Sequence, residues 1–333
     1  MHCAEGQAII LGIDTSCYTT SVAVVGGREI ADHRLLLDVP PGKRGLRQAE
    51  AVFQHVKNLP ILLQEVLPYQ GITGVAVSSR PRSVSGSYLP VFKTGEAMAQ
   101  GLALAWDVPC YLTSHQAGHI WAGILGSQLD WESPFLALHI SGGTTEIGTV
   151  DLSPSTDEVD AGAMNLLGGS LDLHAGQLID RVGVKLGLSF PAGPEVEKLA
   201  QEGRRRGIPP FTLPVSVSGL HLNLSGPETA AMRGIEAGAD PAAVAQGVEI
   251  CLGKSLALLV QHGAEITGLA RILIIGGVAC NQYIRGYLES RLGKAGITTV
   301  FAKPELSRDN AVGVAAYGRW LQEGGLQDRY LFI

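Results

Sequence analysis

Two short, almost wholly apolar runs, each turning back through small polar residues into a second apolar run, constrain this chain more than any other feature. The first is Ala8-Ile9-Ile10-Leu11-Gly12-Ile13-Asp14, with the turn Thr15-Ser16-Cys17-Tyr18-Thr19-Thr20 and the return run Ser21 to Val25. The second is Phe135-Leu136-Ala137-Leu138-His139-Ile140-Ser141, with the turn Gly142-Gly143-Thr144-Thr145 and the return run Glu146 to Val150. Runs of this length without a polar face read as buried strands, and each pair reads as a hairpin.

The segments after the two hairpins are also similar. After the first, Gly26-Gly27 turns the chain toward a third strand over Glu29 to Leu37. Gln48 to Leu67 has helical spacing interrupted by Pro60, and strand-like Gly74 to Ser79, helical Thr94 to Ala105 and strand-like Pro109 to Thr113 come next. After the second, helical spacing covers roughly Leu171 to Leu186, Pro227 to Ala237 and Pro241 to Thr267. The buried strand Ile272 to Ile275 with Gly276-Gly277, a helix from Asn281, a strand near Val300 and a last helix from Asn310 complete the chain. The repeat is one of architecture rather than of residues. It implies an α/β chain of two lobes, residues 1–130 with 311–333 and residues 131–310. With 46% apolar and 17% charged residues, 333 residues suffice for a core in each. Turns rich in small residues let backbone N–H groups approach phosphate oxygens, so Thr15-Ser16 and Ser141 to Thr144 are expected to face a nucleotide clamped between the lobes.

The chemistry-bearing residues are fewer. Ser114-His115-Gln116-Ala117-Gly118-His119 follows a strand, and an i, i+4 spacing on a helix puts both imidazoles on one face, able to share a metal. Two histidines leave the site incomplete. The missing ligand is an oxygen or a third imidazole from elsewhere, and Asp309, in Leu306-Ser307-Arg308-Asp309-Asn310-Ala311 before the last helix, suits the pattern; the bland alternative is a surface helix carrying two unrelated histidines. Mechanism argues against a zinc peptidase, because the general base that follows the first histidine in such enzymes is here Gln116, which cannot take a proton from water.

The formal net charge of −6 excludes a broad electropositive surface. Any RNA substrate must use local patches: Lys43-Arg44 with Arg47, Arg80 with Arg82, or Arg204-Arg205-Arg206, each of which reads more readily as a solvated basic face. Cys3, Cys17, Cys110, Cys251 and Cys280 stand singly, which fits a reducing compartment. Met1 to Glu5 has no basic n-region and no run of about eighteen apolar residues occurs, so a cytoplasmic protein without membrane association is expected.

Taken in order, Gly12-Ile13-Asp14-Thr15-Ser16-Cys17, His115-x-x-Gly118-His119, Ile140-Ser141-Gly142-Gly143, Ile179-Asp180-Arg181 with Pro191-Ala192-Gly193-Pro194, Gly276-Gly277-Val278-Ala279-x-Asn281 and Asp309-Asn310-Ala311 resemble the family of tRNA threonylcarbamoyltransferases, formerly O-sialoglycoprotein endopeptidases. The resemblance implies the two-lobed actin-like fold of sugar kinases and heat-shock ATPases, with duplicated ribonuclease-H-like lobes. It implies transfer of threonylcarbamoyl from threonylcarbamoyl-adenylate to the adenosine next to the tRNA anticodon. It implies one transition metal, iron or zinc, on His115, His119 and Asp309, and contacts to ATP or the adenylate from Ile140, Ser141, Gly142, Gly143, Asp180, Gly193 and Asn281. Partners would be tRNA, an adenylate-forming enzyme and accessory subunits of a modification complex.

Departures from the family pattern gather around the reaction. The family usually has glutamate where Asp14 stands, an acidic pair where Tyr18-Thr19 stands, glutamate for Ala117, histidine for Thr144, and Ser-Gly-Leu-Lys for Ser225-Gly226-Pro227-Glu228. Losing an acidic pair removes candidate bases, and lysine to glutamate reverses a charge beside an anionic ligand. The alternative they raise is a catalytically weakened nucleotide-binding paralogue that regulates or scaffolds a true transferase. A sugar or carboxylate kinase on the same fold would need no histidine pair.

Overall fold

Both hairpins form, and each becomes the middle of a sheet. The structure, a computed structural model, describes residues 8–16, 18–27, 29–39, 46–66, 71–125, 127, 133–153 and 161–324; Cys3, Cys17, Lys43, Arg44 and the expected helix end at Leu67 lie outside the described residues. The chain forms two compact units, one of Met1–Ser133, Asp151–Met164 and Arg308–Ile333, the other of Pro134–Val150 and Asn165–Ser307.

In the first unit β1 (Ile9–Asp14) pairs antiparallel with β2 (Thr19–Gly26), which pairs with β3 (Glu29–Leu36). On its other side β1 pairs parallel with β4 (Gly74–Arg80), and β4 with β5 (Cys110–Ser114), giving the order β3-β2-β1-β4-β5. A strand covered on both faces has no polar side, which is why β1 reads as a continuous apolar run. Leu11 and Ile13 share a core with Leu59, Leu62, Val75, Val77, Ala99 and Ala103, from β4 and from α1 (Gln48–Val66) and α2 (Pro90–Trp106). Gly12 faces the opposite way, against the start of α9 (Val312–Gln322), where an added Cβ would lie 2.4 Å from the Ala311 carbonyl oxygen. Pro60, read from sequence as an interruption, sits inside an unbroken α1. The lost backbone hydrogen bond is offset by burying Leu59, Leu62 and Leu63 on the sheet.

The second unit repeats the pattern. β6 (Phe135–Ile140) pairs antiparallel with β7 (Thr145–Val150) and parallel with β11 (Arg271–Ile275), which pairs with β12 (Thr298–Phe301). With β8 (Met164–Ser170) beside β7, the order β8-β7-β6-β11-β12 matches the first sheet strand for strand, and the two-residue strands β9 (Val217–Ser218) and β10 (His221–Leu222) extend it beyond β8. Its helices are α4 (Ala175–Lys185), α5 (Gly193–Arg205), α6 (Ser225–Glu236), α7 (Pro241–Thr267) and α8 (Gln282–Gly293).

The sequence reading missed β8 and α5. β8 carries Leu166-Leu167-Gly168-Gly169, and glycines lower strand propensity, so only pairing within the sheet makes it a strand. α5 did carry legible signals, Pro194 in its first turn, Glu195 after it and Arg204-Arg205 in its last turn. The helix expected from Leu171 starts instead at Ala175, because Asp172 and Leu173 are held in a turn by hydrogen bonds that Asp172 accepts from the Leu173, Leu224 and Ser225 amides. Among the described residues α7 alone is long and apolar enough to cross a membrane, and 83% of its most apolar window is buried inside the fold, the signature of a core helix.

Candidate functional site

α3 (His115–Leu125) begins at the end of β5. The Ser114 hydroxyl, itself accepting from Ser83, accepts from the Ala117 amide at 3.0 Å and caps the first turn. Helical spacing then brings the two imidazoles together edge to face, with Nε2 atoms 3.2 Å apart and the ring planes at 73°.

Asp309 reaches them through the packing of α9 on α3. Asn310, just outside α9, accepts from the Gly313 amide of its first turn, and its own amide donates to the Arg308 carbonyl at 2.7 Å, so the chain just before the helix is fixed. Gly313 lies against Gly118, between the two histidines' turns, so closely that a Cβ on it would sit 1.8 Å from the Gly118 carbonyl oxygen. Arg34 donates to the Asp309 carbonyl at 3.3 Å. Trp121 of α3 packs on Trp320 and Tyr317 of α9, at centroid distances of 5.1 and 6.1 Å, which adds apolar burial to the same contact. As a result Asp309 Oδ1 stands 3.5 Å from His115 Nε2 and 3.4 Å from His119 Nε2.

Three donors at edges of 3.2, 3.4 and 3.5 Å form one face of a coordination polyhedron. Ligand bonds of about 2.0–2.1 Å at a tetrahedral angle separate two donors by roughly 3.3–3.4 Å, so the residues present fit a single divalent ion. Two imidazole nitrogens cannot face one another as lone pairs without a cation or a proton between them. The electrostatics agree. Burial would lower the basicity of His115, but the charge and hydrogen bond of Asp14, joined by Asp309, outweigh it and hold its pKa well above the ordinary value. Burial would likewise raise Asp309, but hydrogen bonds and charge from His115 and His119 hold it well below the usual carboxylate range. The cluster is built to hold positive charge.

Thr15 and Ser16 are buried, and their hydroxyls are spent inside the unit. Thr15 Oγ1 donates to the Val91 carbonyl and accepts from the Gly95 amide, while Ser16 donates to Asp14. Asp14 carries no assigned role in the motifs, yet its carboxylate lies 2.9 Å from His115 Nδ1. The signal that could have found it was an acid ending an otherwise apolar central strand, since a buried carboxylate requires a partner.

The other residues expected to contact nucleotide lie in the second unit. Ile140 ends β6 and is buried, and the turn after it is closed by the Ser141 amide donating to the Thr144 carbonyl at 2.8 Å. The α4 N-terminus meets this turn, where the Gly176 amide donates to the Ser141 carbonyl at 3.0 Å. Gly142, Gly143 and Gly193 border open space. Asp180, on α4, accepts from the Ala192 amide at 2.8 Å, and burial raises its pKa while that bond opposes the rise. Asn281 caps α8 through Oδ1, and its Nδ2 donates to the buried Glu249, which also pairs with Arg204 at 2.6 Å. Glu228 pairs with Arg181 at 3.2 Å.

Two sheets of matching strand order define an actin-like ATPase fold. Full-length HypF, crystallised in its phosphate- and nucleotide-bound form, is similar with a TM-score of 0.62 at 14% identity over 95% of this chain and 47% of HypF, so the chain spans about half of that protein. The activator of the 2-hydroxyisocaproyl-CoA dehydratase from Clostridium difficile, solved with ADPNP, is similar with a TM-score of 0.55 at 14% identity over 95% of this chain and 96% of the other. At such identities the likeness is one of fold. The sequence goes further: residues 42–316 match the family described as tRNA N6-adenosine threonylcarbamoyltransferase, and the chain belongs to that family. A member from Thermus thermophilus is 33% identical over 322 residues, 92% of this chain and 90% of the relative.

Proposed function

We propose that this chain transfers a threonylcarbamoyl group from threonylcarbamoyl-adenylate to the exocyclic amine of the adenosine beside the anticodon in tRNA. The observation that carries the reading is the convergence of His115, His119 and Asp309 in a chain of this family. Those three residues would hold one divalent ion, iron or zinc, since two imidazoles and a carboxylate suit either. When bound, such an ion supplies a Lewis acid for a carbonyl or an anchor for an anionic donor. In the transfer the amine bonds to the carbamoyl carbon, the bond from that carbon to the adenylate oxygen breaks, AMP leaves and the amine loses a proton.

The second unit would bind ATP or the adenylate. Open space at Gly142, Gly143 and Gly193 admits phosphate and nucleoside to the backbone, and the α4 N-terminus beside the Ser141 turn favours negative charge. Asp180 can accept from ribose hydroxyls and the second Nδ2 hydrogen of Asn281 can donate. Arg47, Arg80 with Arg82, and Arg205 with Arg206 would be the local groups for tRNA phosphates, Arg204 being held by Glu249. An adenylate-forming enzyme and accessory subunits are the protein partners of this reading, and the cytoplasm its place.

The test supplies metal-loaded protein with ATP, bicarbonate, threonine, tRNA and an adenylate-forming enzyme, and analyses nucleosides by mass spectrometry. Threonylcarbamoyladenosine is expected with the unaltered protein and absent with His119→Ala. No modified nucleoside from folded, metal-loaded protein overturns the reading and favours the nucleotide-binding paralogue, which Tyr18, Thr19 and the pairing of Glu228 with Arg181 support.

A further inference from the structure

We infer that Asp14 is the positioning residue of the His115, His119 and Asp309 centre: it holds the His115 imidazole in the Nδ1–H form, so that its Nε2 lone pair points at the ion. The inference rests on the metal reading above. Asp14 is fully buried at the end of β1, a strand held on both sides by β2 and β4. Its Oδ1 accepts a hydrogen bond from Ser78 of β4, and its Oδ2 accepts from Ser16 at 3.1 Å. Two hydroxyl donors fix the plane of the carboxylate before the histidine is considered.

The partner that remains is His115 Nδ1, 2.9 Å from Oδ2. A carboxylate only accepts, so Nδ1 must carry the hydrogen. In a neutral imidazole that assignment places the lone pair on Nε2, the atom lying 3.2 Å from His119 Nε2 and 3.5 Å from Asp309 Oδ1. Asp14 sits on the opposite side of the ring from that triangle and is not one of its members. Its negative charge has no lysine or arginine partner among the described residues; the ion pair it makes is with this imidazole. The charge therefore acts through the ring on whatever cation occupies the far side and raises the basicity of Nε2. Asparagine in its place can turn an amide N–H toward Nδ1, which moves the ring hydrogen to Nε2 and removes the ligand's lone pair.

The experiment compares the unaltered protein, Asp14→Asn, Ser78→Ala and a His115→Ala/His119→Ala control. Zinc affinity is measured by competition with a chromophoric chelator, and the His115 ring nitrogens are followed by ¹⁵N NMR with the fold checked by circular dichroism. Outer-shell partners of metal-bound histidine typically affect affinity by about 10–100-fold, and a loss of that size is expected in Asp14→Asn together with a changed ring-nitrogen pattern. Ser78→Ala keeps the carboxylate but frees its plane, so a smaller loss in the same direction is expected; it decides the matter if Asp14→Asn does not fold. Zinc affinity and His115 shifts unchanged in a folded variant overturn the inference while leaving the metal reading intact. Zinc binding by the unaltered protein no better than by the double-alanine control overturns both.

Discussion

Replacing Gly313 with alanine should empty the proposed metal site without touching His115, His119 or Asp309. The added Cβ would stand 1.8 Å from the Gly118 carbonyl oxygen and 2.6 Å from the Ala122 amide, both backbone atoms of α3 that no rotamer change can move. Ordinary contact begins near 3.4 Å, so the start of α9 must withdraw by about 1.6 Å. Asp309 lies just before that first turn and moves with it, whereas ligand positions tolerate only about 0.2 Å. Overpacking of this kind costs about 1–3 kcal/mol, a fall in Tm of roughly 3–10 °C for a unit of this size. Bound metal, by elemental analysis of protein purified beside the unaltered chain, should fall from about one per chain toward none. Gly118→Ala is the milder comparison at the same contact, because its Cβ would meet one Val314 methyl at 3.0 Å and no backbone atom nearer than 3.8 Å. A Gly313→Ala protein that keeps a full complement of metal at unchanged affinity would show that the α3–α9 contact does not set the site.

Three further outcomes are expected. His55 is buried with Nδ1 2.8 Å from Thr20 Oγ1, and burial, only partly opposed by Asp14, lowers its pKa from 6.5 to about 4. Below pH 6.5 the unfolded chain takes a proton there that the folded chain refuses until about pH 4, so stability should fall through that window by up to roughly 3 kcal/mol; a urea-unfolding profile against pH that is no flatter in His55→Leu would contradict this. Arg204→Ala leaves Glu249, 1% exposed, without its ion pair and should cost about 3 kcal/mol by denaturant unfolding, whereas a loss under about 0.5 kcal/mol would mean that Asn281 suffices. Tyr18 is exposed and Thr19 buried, so Tyr18→Asp should leave Tm nearly unchanged and raise tRNA modification, while Thr19→Asp should destabilise by about 1–3 kcal/mol; equal tolerance of the two would refute the assigned burial.

Much of the architecture could be read because burial leaves a local mark. Ile9–Asp14 and Phe135–Ile140 are apolar throughout since each is a central strand covered on both faces, and the paired turns announce a duplicated sheet. His115 and His119 are legible as a pair because helical spacing alone puts them on one face. β8 left no such mark, for it becomes a strand through its neighbours and not through Leu166-Leu167-Gly168-Gly169. Pro60 looks locally like a break in Gln48 to Leu67, because the burial of Leu59, Leu62 and Leu63 that offsets it exists only against the sheet.

By itself, then, the sequence determined the two hairpins, the order of the chemistry-bearing motifs and the family they match. Tertiary structure decided how those motifs meet. Asp309 joins the histidines because Gly313 lets α9 press against Gly118, a contact between segments far apart in the chain. Asp14 acquires its role only where β1 and β4 set Ser78 on one side of it and His115 on the other. Hydrogen bonds and close contacts of this kind depend on distance in space, and a one-dimensional pattern records periodicity and composition but not which distant residues come within about 3 Å of one another.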